Sequence, residues 1–547
     1  MHNCLYGELY SGTESNFLGS QYVIYRSSST NKMITYYAPA WLKEPRFVHA
    51  DVIRESVNSA NGDDDKIYFF FTEVNVELPQ DLTKFFIPRI ARVCKHDMGG
   101  RTVLQDRWTS FLKAKLVCWV PELNIVFDEV LDVLILKAPN WKDTVIYALF
   151  RSHWDYSMDS AVCKYKMSTV DEVFSRGTHM EEVIVLNMYQ SWFRRQETFS
   201  SPRPGECIND NIRNNNIQSS KDLPSVILEF LKKSPMIHDS VLPVGNRPQM
   251  VFKNMNYTQI AVDQVRALDS RTYDIIFIST EDGNVHKTVV IDSKWHIIEE
   301  IQLLPNPEPI KELLLSSGQK KSLYAGSDER LVQSPVEFCE KHQSCVDCIL
   351  ARDPYCAWST DASLCVNQIM HRNAGGLIQR LNGNFSVCPP VKHSVGYQNI
   401  VTQHGQYAAL RLPCHLNSGL SRAMWMKNGV YLAPSPSKYE IVGDGDLLIL
   451  NISQSDQGNY TCFLVQKVEI GDRKELVAAY TLNLIDRTDG AASSPFLYLF
   501  LLFLLLFLAL LVYTCYPRCL PLLFPETINS SCYSGLAAEK RFDGSCW

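Results

Sequence analysis

Ile276-Phe-Ile-Ser-Thr280 runs through the polar turn Glu281-Asp-Gly-Asn284 into Val285-His-Lys-Thr-Val-Val-Ile291. A short apolar run, a turn holding Gly, and a second apolar run read as two antiparallel strands. The unit recurs. Leu9-Tyr-Ser-Gly-Thr13 and Leu323-Tyr-Ala-Gly-Ser327 share its apolar pair, small residue and hydroxyl. Ile67-Tyr-Phe-Phe-Phe-Thr72 and Val145-Ile-Tyr-Ala-Leu-Phe150 are near-continuous apolar runs, the pattern of inner strands buried on both faces. Short strands repeating with Gly/Asp turns over about 330 residues predict a β-propeller, because that length is large for the alternative, a single β-sandwich.

Composition agrees with packed β-rich domains. The chain has 547 residues, room for three or four domains at about 100–200 residues each. A hydrophobic share of 46% and a charged share of 20% exclude a mostly disordered chain. Lys plus Arg number 53 against 59 Asp plus Glu, a net charge of −6, so no global basic excess suggests nucleic acid.

Six of the 17 cysteines fall in one short window: Cys339, Cys345, Cys348, Cys356, Cys365 and Cys388. An even, dense set reads as a disulfide scaffold and therefore an oxidising compartment. Cys345-Val-Asp-Cys348 lacks the second pair or the His spacing that a zinc site would need. Further on, Cys414, Trp425, Tyr460 and Cys462 stand in the order Cys…Trp…Tyr-Thr-Cys. Those spacings predict an immunoglobulin-type sandwich, with a disulfide between its sheets, Trp packed on it and a tyrosine corner.

The uncharged stretch 495–516 is about 22 residues long, enough to cross a hydrocarbon layer as a transmembrane helix. Tyr498, Tyr513 and Tyr516 lie near its ends, where amphipathic rings favour the interface. A further 31 residues follow, which disfavours a GPI signal. Cys515 and Cys519, at the inner end, are candidates for S-acylation. Four sequons precede the stretch, at Asn256, Asn384, Asn451 and Asn459, and a fifth, Asn529, follows it. The opening Met1-His-Asn-Cys-Leu-Tyr has neither a basic nor an apolar leader region. The expectation is that a signal peptide and upstream sequence precede the chain in the whole protein.

Several stretches in order resemble the semaphorin family: Gly7-Glu-Leu-Tyr-Ser-Gly-Thr13, Arg92-Val-Cys-Lys-His-Asp-Met-Gly-Gly100, Trp108-Thr-Ser-Phe-Leu-Lys-Ala-Lys-Leu-Val-Cys118, Ser160-Ala-Val-Cys163 and Pro202-Arg-Pro-Gly-Glu-Cys207. Phe338-Cys-Glu with Asp353-Pro-Tyr-Cys-Ala-Trp358 is similar to the small PSI module that follows the sema propeller. The resemblance implies a mainly β fold: a seven-bladed sema propeller at 1–336, entered after its first blades, and a PSI domain at 338–390. An Ig-like domain at 396–484, a stalk at 485–494, the transmembrane helix at 495–516 and a short cytoplasmic tail at 517–547 would follow. It also implies the pairings Cys94–Cys207, Cys118–Cys163, Cys339–Cys356, Cys345–Cys388, Cys348–Cys365 and Cys414–Cys462. Cys4 matches no expected cysteine.

One Ig domain, a span and a short tail resemble the class 4, transmembrane semaphorins. Such proteins are cell-surface ligands, so the resemblance implies a type I plasma-membrane glycoprotein with its N-terminal part extracellular. It would bind a plexin ectodomain, dimerise through its sema domain and cluster receptors, in axon guidance, cell migration (neural crest included) and cell–cell communication. No cofactor, metal or catalytic residue is implied. The alternatives are an Ig-type adhesion molecule, which leaves the first 330 or so residues unexplained, and a propeller glycoside hydrolase. For the latter, Ser279-Thr-Glu-Asp-Gly283 has the wrong spacing for an Asp-box, and no GxSxG or HExxH occurs. Asp63-Asp-Asp65 reads as an exposed turn rather than a cation site, and His96 and His153 as surface or packing residues.

Overall fold

A computed structural model of the chain describes residues 2–5, 8–16, 19–27, 32–77, 84–153, 159–185, 189–195, 201–318, 321–371, 375–389, 396–403, 409–414, 422–443, 445–468, 471–485 and 495–515. Cys519, Asn529, the tail and nearly all of the stalk lie outside the described residues.

Five antiparallel sheets follow one another along the chain. The first is His2–Leu5, Glu8–Glu14, Tyr22–Ser27 and Met33–Ile34; the second is Arg46–Ile53, Lys66–Val74, Phe86–Cys94 and Leu112–Lys115. The third is Glu129–Leu136, Val145–Arg151, Ser160–Lys166 and Met250–Phe252. The fourth is Tyr257–Arg266, Thr272–Thr280, Asn284–Ile291 and Lys294–Gln302, and the fifth is Glu312–Leu315, Ser322–Gly326 and Leu331–Pro335. The first strand of each sheet lies against the opening strands of the next, the radial succession of a propeller.

Every repeated apolar run in the sequence is the second strand of its sheet. In the second, third and fourth sheets such a strand sits between hydrogen-bonded neighbours and between two other sheets, so most of its side chains on both faces are buried; in the first and fifth sheets some of its side chains stay exposed or half-buried. In Val145–Arg151, Ile146, Ala148 and Phe150 join the core shared with the second sheet, whereas Tyr147 and Leu149 face Ile260, Val262, Ile276 and Ile278 of the fourth. In Thr272–Thr280, Ile276 and Ile278 point back to that layer, while Ile275 and Phe277 join the core of the fifth sheet. Side-chain period 2 thus distributes one run between two cores.

Residues 167–249 are inserted between the third and fourth strands of the third sheet. The helix Met167–Arg176 buries Met167, Val170, Val173 and Phe174, spacings that place them on one face. The ribbon His179–Val185 with Tyr189–Arg195 follows. The helix Ser225–Lys233 starts after Pro224, buries Ile227, Leu228, Phe230 and Leu231, and ends on Lys232 and Lys233, cations placed at its negative pole.

After the fifth sheet, the short helix Cys345–Leu350 packs with the strands Cys356–Ser359, Leu364–Asn367 and Leu377–Ile378. Two sheets then form a sandwich. One orders Gln398–Gln403, Gly471–Ile485, Gly458–Val468, Arg422–Lys427 and Val430–Tyr431; the other orders Ala409–Leu412, Asp446–Leu450 and Tyr439–Val442. Trp425, Cys414 and Cys462 are buried between them. The Tyr460 hydroxyl donates to the Asp456 carbonyl at 2.7 Å, closing a tyrosine corner.

A helix forms at Pro495–Cys515. Its side chains are described only over 498–512, where every apolar group is exposed. Among the described residues no helix is long and apolar enough to cross a membrane.

Candidate functional site

The described residues hold a scaffold whose loops are pinned at three places. The first surrounds Cys94. Among the described residues six disulfides form: Cys94–Cys207, Cys118–Cys163, Cys339–Cys356, Cys345–Cys388, Cys348–Cys365 and Cys414–Cys462. Beside the first, the buried Asp97 carboxylate accepts from Thr109 N and Oγ1, Ser110 N and Oγ, and Gly99 N, all within 2.6–2.9 Å. Ser110 Oγ in turn accepts from Cys94 N at 2.9 Å. Arg92 Nη2 donates to the Gly205 carbonyl at 2.7 Å. Gly205 has φ 78°, and a Cβ there would lie 2.6 Å from Leu112. Only glycine suits both demands of the Pro-Gly-Glu-Cys207 turn.

The Asp63–Asp65 reading is corrected. Asp64 and Asp65 are buried, at 7% and 4% exposure. Asp64 accepts from His96 N at 2.9 Å and pairs with His96 Nδ1 at 2.6 Å, and that hydrogen bond raises the imidazole pKa. Asp65 accepts from Ser56 N and Oγ at 3.1 and 2.6 Å. The carboxylates tie loops together because backbone and hydroxyl donors converge on them. His153 bridges Asp128 and Glu129, at 3.1 and 3.2 Å.

The second pin is a fully buried charge network. Glu73 Oε1 receives Arg89 Nε at 2.9 Å and Lys113 Nζ at 2.6 Å, and Arg89 Nη2 reaches Glu77 at 2.8 Å. Burial pushes the Lys113 ammonium down to about 8 against the pull of Glu73.

The third pin joins the propeller to the PSI-like module. Lys287 Nζ meets Asp353 Oδ2 at 2.5 Å with both side chains buried. The Tyr355 hydroxyl donates to Asp263, which also pairs with Lys321. Gln368 Nε2 donates to the Arg266 carbonyl, and Leu268 N to Gln379 Oε1, both at 2.9 Å. Asp353 and Tyr355 lie in a stretch that the sequence singles out, but their partners lie far upstream. Polar residues scattered in apolar strands gave no sign of that pairing.

The sequons differ in access. Asn384, Asn451 and Asn459 are exposed, with Asn459 Oδ1 accepting from Thr481 Oγ1 at 2.9 Å. Asn256 is half-buried, and its Nδ2 donates to Glu281 at 3.0 Å. Glu337, Cys339 and Cys356 cluster as metal donors would, but both sulfurs belong to one disulfide and offer no thiolate.

His179 gives a pH test of the insertion. The ring is buried, with Nδ1 2.7 Å from the Ser234 carbonyl, and burial drives its pKa down to about 4 from an ordinary 6.5. The folded chain keeps it neutral while the unfolded chain protonates below about 6.5. Its contribution is therefore present above that pH and is lost as pH falls towards 4, about 2 kcal/mol by pH 5. Glu55, pushed up to about 7 by burial, contributes with the opposite sign over the same window, so the native–variant difference is the informative quantity. Urea midpoints at pH 7 and 5 should show that difference shrinking for His179→Gln; an unchanged difference would mean that His179 titrates normally.

The propeller, disulfide module and Ig sandwich match three family descriptions: a Sema domain at 130–317, a plexin repeat (PSI) at 338–389, and the Semaphorin-3/4/7A immunoglobulin-like domain at 399–494. The extracellular domains 1–2 of Drosophila Semaphorin 1b align with a TM-score of 0.60 at 30% identity, over 71% of this chain and 73% of that one. Drosophila Semaphorin 2a aligns at TM-score 0.65 with 24% identity, over 88% and 74%. The chain belongs to the semaphorin family. Its curated relatives place it beside class 4: Semaphorin-4D of Homo sapiens is 46% identical over 87% of this chain and 55% of its own length. Semaphorin-4C of Mus musculus is 40% identical over 84% and 55%. The chain thus spans about half the length of these relatives.

Proposed function

We propose that the chain is a cell-surface ligand that binds a plexin ectodomain through its sema propeller. The observation that carries this is the propeller–PSI–Ig order, with the first two units resembling those of Drosophila Semaphorin 1b, a protein solved in complex with Drosophila Plexin A. In this reading residues 1–336 are sema, 338–390 PSI and 396–484 Ig. The stretch 485–494 is a stalk, 495–516 spans the membrane in type I orientation, and 517–547 is cytoplasmic. The disulfides keep the ectodomain folded outside the cell, and Asn256, Asn384, Asn451 and Asn459 carry glycans. Two copies pair through the sema domain and bring receptors together, so the signal is a change in receptor arrangement, and no bond is made or broken. Axon guidance and cell migration are the processes such a ligand would serve.

Binding of the full chain to a panel of plexin ectodomains tests the reading. At least one should bind saturably, and complete failure of a folded preparation across the panel would remove it. The span has its own test. Alkaline extraction should leave the chain in the membrane pellet, and deletion of 495–516 should release it. Release of the intact chain would mean that the apolar helix lies elsewhere.

A further inference from the structure

The sequence holds three Asn-Gly pairs: Asn61-Gly62, Asn382-Gly383 and Asn428-Gly429. In such a pair the main-chain nitrogen of the glycine can attack the side-chain carbonyl carbon of the asparagine, because no Cβ stands in its way. The new C–N bond closes a succinimide ring. The bond to the amide nitrogen breaks, and that nitrogen leaves as ammonia with the proton from the glycine nitrogen. Water then opens one of the two ring carbonyls. The product is aspartate or, with an extra methylene in the main chain, isoaspartate. Two conditions govern the step in a folded chain: the asparagine amide must be free to turn, and the glycine nitrogen must not be engaged elsewhere.

The structure separates the three pairs. Gly383 is buried and its nitrogen donates to the Arg380 carbonyl at 2.9 Å, while Asn382 Oδ1 accepts from Asn384 N at 3.0 Å. Asn428 Oδ1 accepts from Asn459 N at 2.8 Å, which fixes that side chain against the neighbouring strand. Asn61 differs on both counts. It is exposed, and among the described residues no hydrogen bond engages its side-chain amide or the Gly62 nitrogen. It borders a cavity of about 890 Å3 that opens to solvent, so water is at hand for the second step. We infer that Asn61 is a modification site, converting to aspartate and isoaspartate in the folded protein ahead of the other two pairs. The change falls on a tie between the second sheet and the insertion, because the Asn61 carbonyl accepts from Asp210 N at 2.9 Å. Space there is already short: Gly62 has φ 61°, and a Cβ on it would lie 2.5 Å from the Asp210 carboxylate. The inference is independent of plexin binding.

Ageing the purified full chain at mildly alkaline pH tests it, once native and once unfolded in guanidinium. Tryptic digestion releases Glu55–Lys66, and mass spectrometry with isoaspartyl-methyltransferase labelling follows each Asn-Gly pair against its own rate in the unfolded chain. Asn61 should convert in the native protein at close to its unfolded rate. Asn382 and Asn428 should be slowed at least about fivefold, the factor set by one hydrogen bond that must open first. Asn61→Gln should remove the label from Glu55–Lys66. Three results would each overturn the inference: no label in that peptide from the native chain while the unfolded chain converts, native protection of Asn61 equal to that of the other two, or label that persists in Asn61→Gln.

Discussion

Replacing Cys94 and Cys207 together by serine should be the most destabilising paired cysteine change in the chain. The bond closes 113 residues, against 45 for Cys118–Cys163, 48 for Cys414–Cys462 and 17 for Cys339–Cys356. In the chain-entropy account a cross-link of that length contributes roughly 4–5 kcal/mol, and one of the shortest roughly 3 kcal/mol. Domain stabilities are only about 5–15 kcal/mol, so the larger loss leaves little margin. The local structure adds to the effect. The bond ties the middle of the insertion to the strand Phe86–Cys94, beside the Asp97 hub and the Arg92–Gly205 hydrogen bond. Without it the insertion is still held by helix packing and by backbone bridges such as Ile237 N to the Lys113 carbonyl and Val241 N to the Lys115 carbonyl, but the segment around Cys207 loses its covalent tie. Urea midpoints and secreted yield should both fall, further than in a Cys339→Ser, Cys356→Ser pair. A smaller loss than in that control would show that the unfolded chain retains structure near these cysteines and that loop length does not govern the effect.

How much of this was legible beforehand depends on how local the physics is. The apolar runs of the second, third and fourth sheets could be read because a strand buried on both faces is apolar at nearly every position, and that constraint is written within five or six residues; the runs of the first and fifth sheets, partly exposed, were read from the shared small residue and hydroxyl. The Ig sandwich was legible for a similar reason: Cys414, Trp425, Tyr460 and Cys462 are one packed unit with set spacing. The insertion at 167–249 was not. Its helices are short and their apolar faces amount to four residues each, too few to stand out beside strands of similar length. The Asp63–Asp65 run misled because three acids in a row usually mean solvent, and the donors that bury two of them come from His96 and Ser56. The cavity lined by Lys66, Arg92, Trp141, Asp171 and Arg203 draws its walls from five separate stretches of sequence, so no window of sequence contains it. The disulfide partners followed from family resemblance, since six cysteines in one module leave fifteen connectivities open on spacing alone.

The junction between propeller and disulfide module should also respond sharply, here to loss of a single side chain. Lys287 and Asp353 are 0% and 3% exposed and meet at 2.5 Å, so removing one leaves the other charged in a place water cannot reach. Breaking a buried pair in this way costs about 3–5 kcal/mol, whereas replacing both partners by apolar groups of similar size is often close to neutral. Lys287→Met should therefore lower the unfolding midpoint strongly, and the double change Lys287→Met, Asp353→Leu should recover more than half of that loss. Recovery will not be complete, because Asp353 Oδ1 also accepts from Tyr355 N at 3.0 Å and that hydrogen bond is lost as well. The neighbouring groups make the effect regional. Tyr355 donates to Asp263, Asp263 holds Lys321, and Lys287 lies 4.8 Å from the Tyr355 ring. A stranded Asp353 carboxylate beside these groups would draw water or a proton into the seam between the fourth sheet and the module. Limited proteolysis should then cut the segment that joins them, near 336–344, in Lys287→Met but not in the native chain or the double variant. If the single and double variants are equally destabilised, the two residues are uncoupled, and packing of Tyr355 and Ile349 alone holds the module in place.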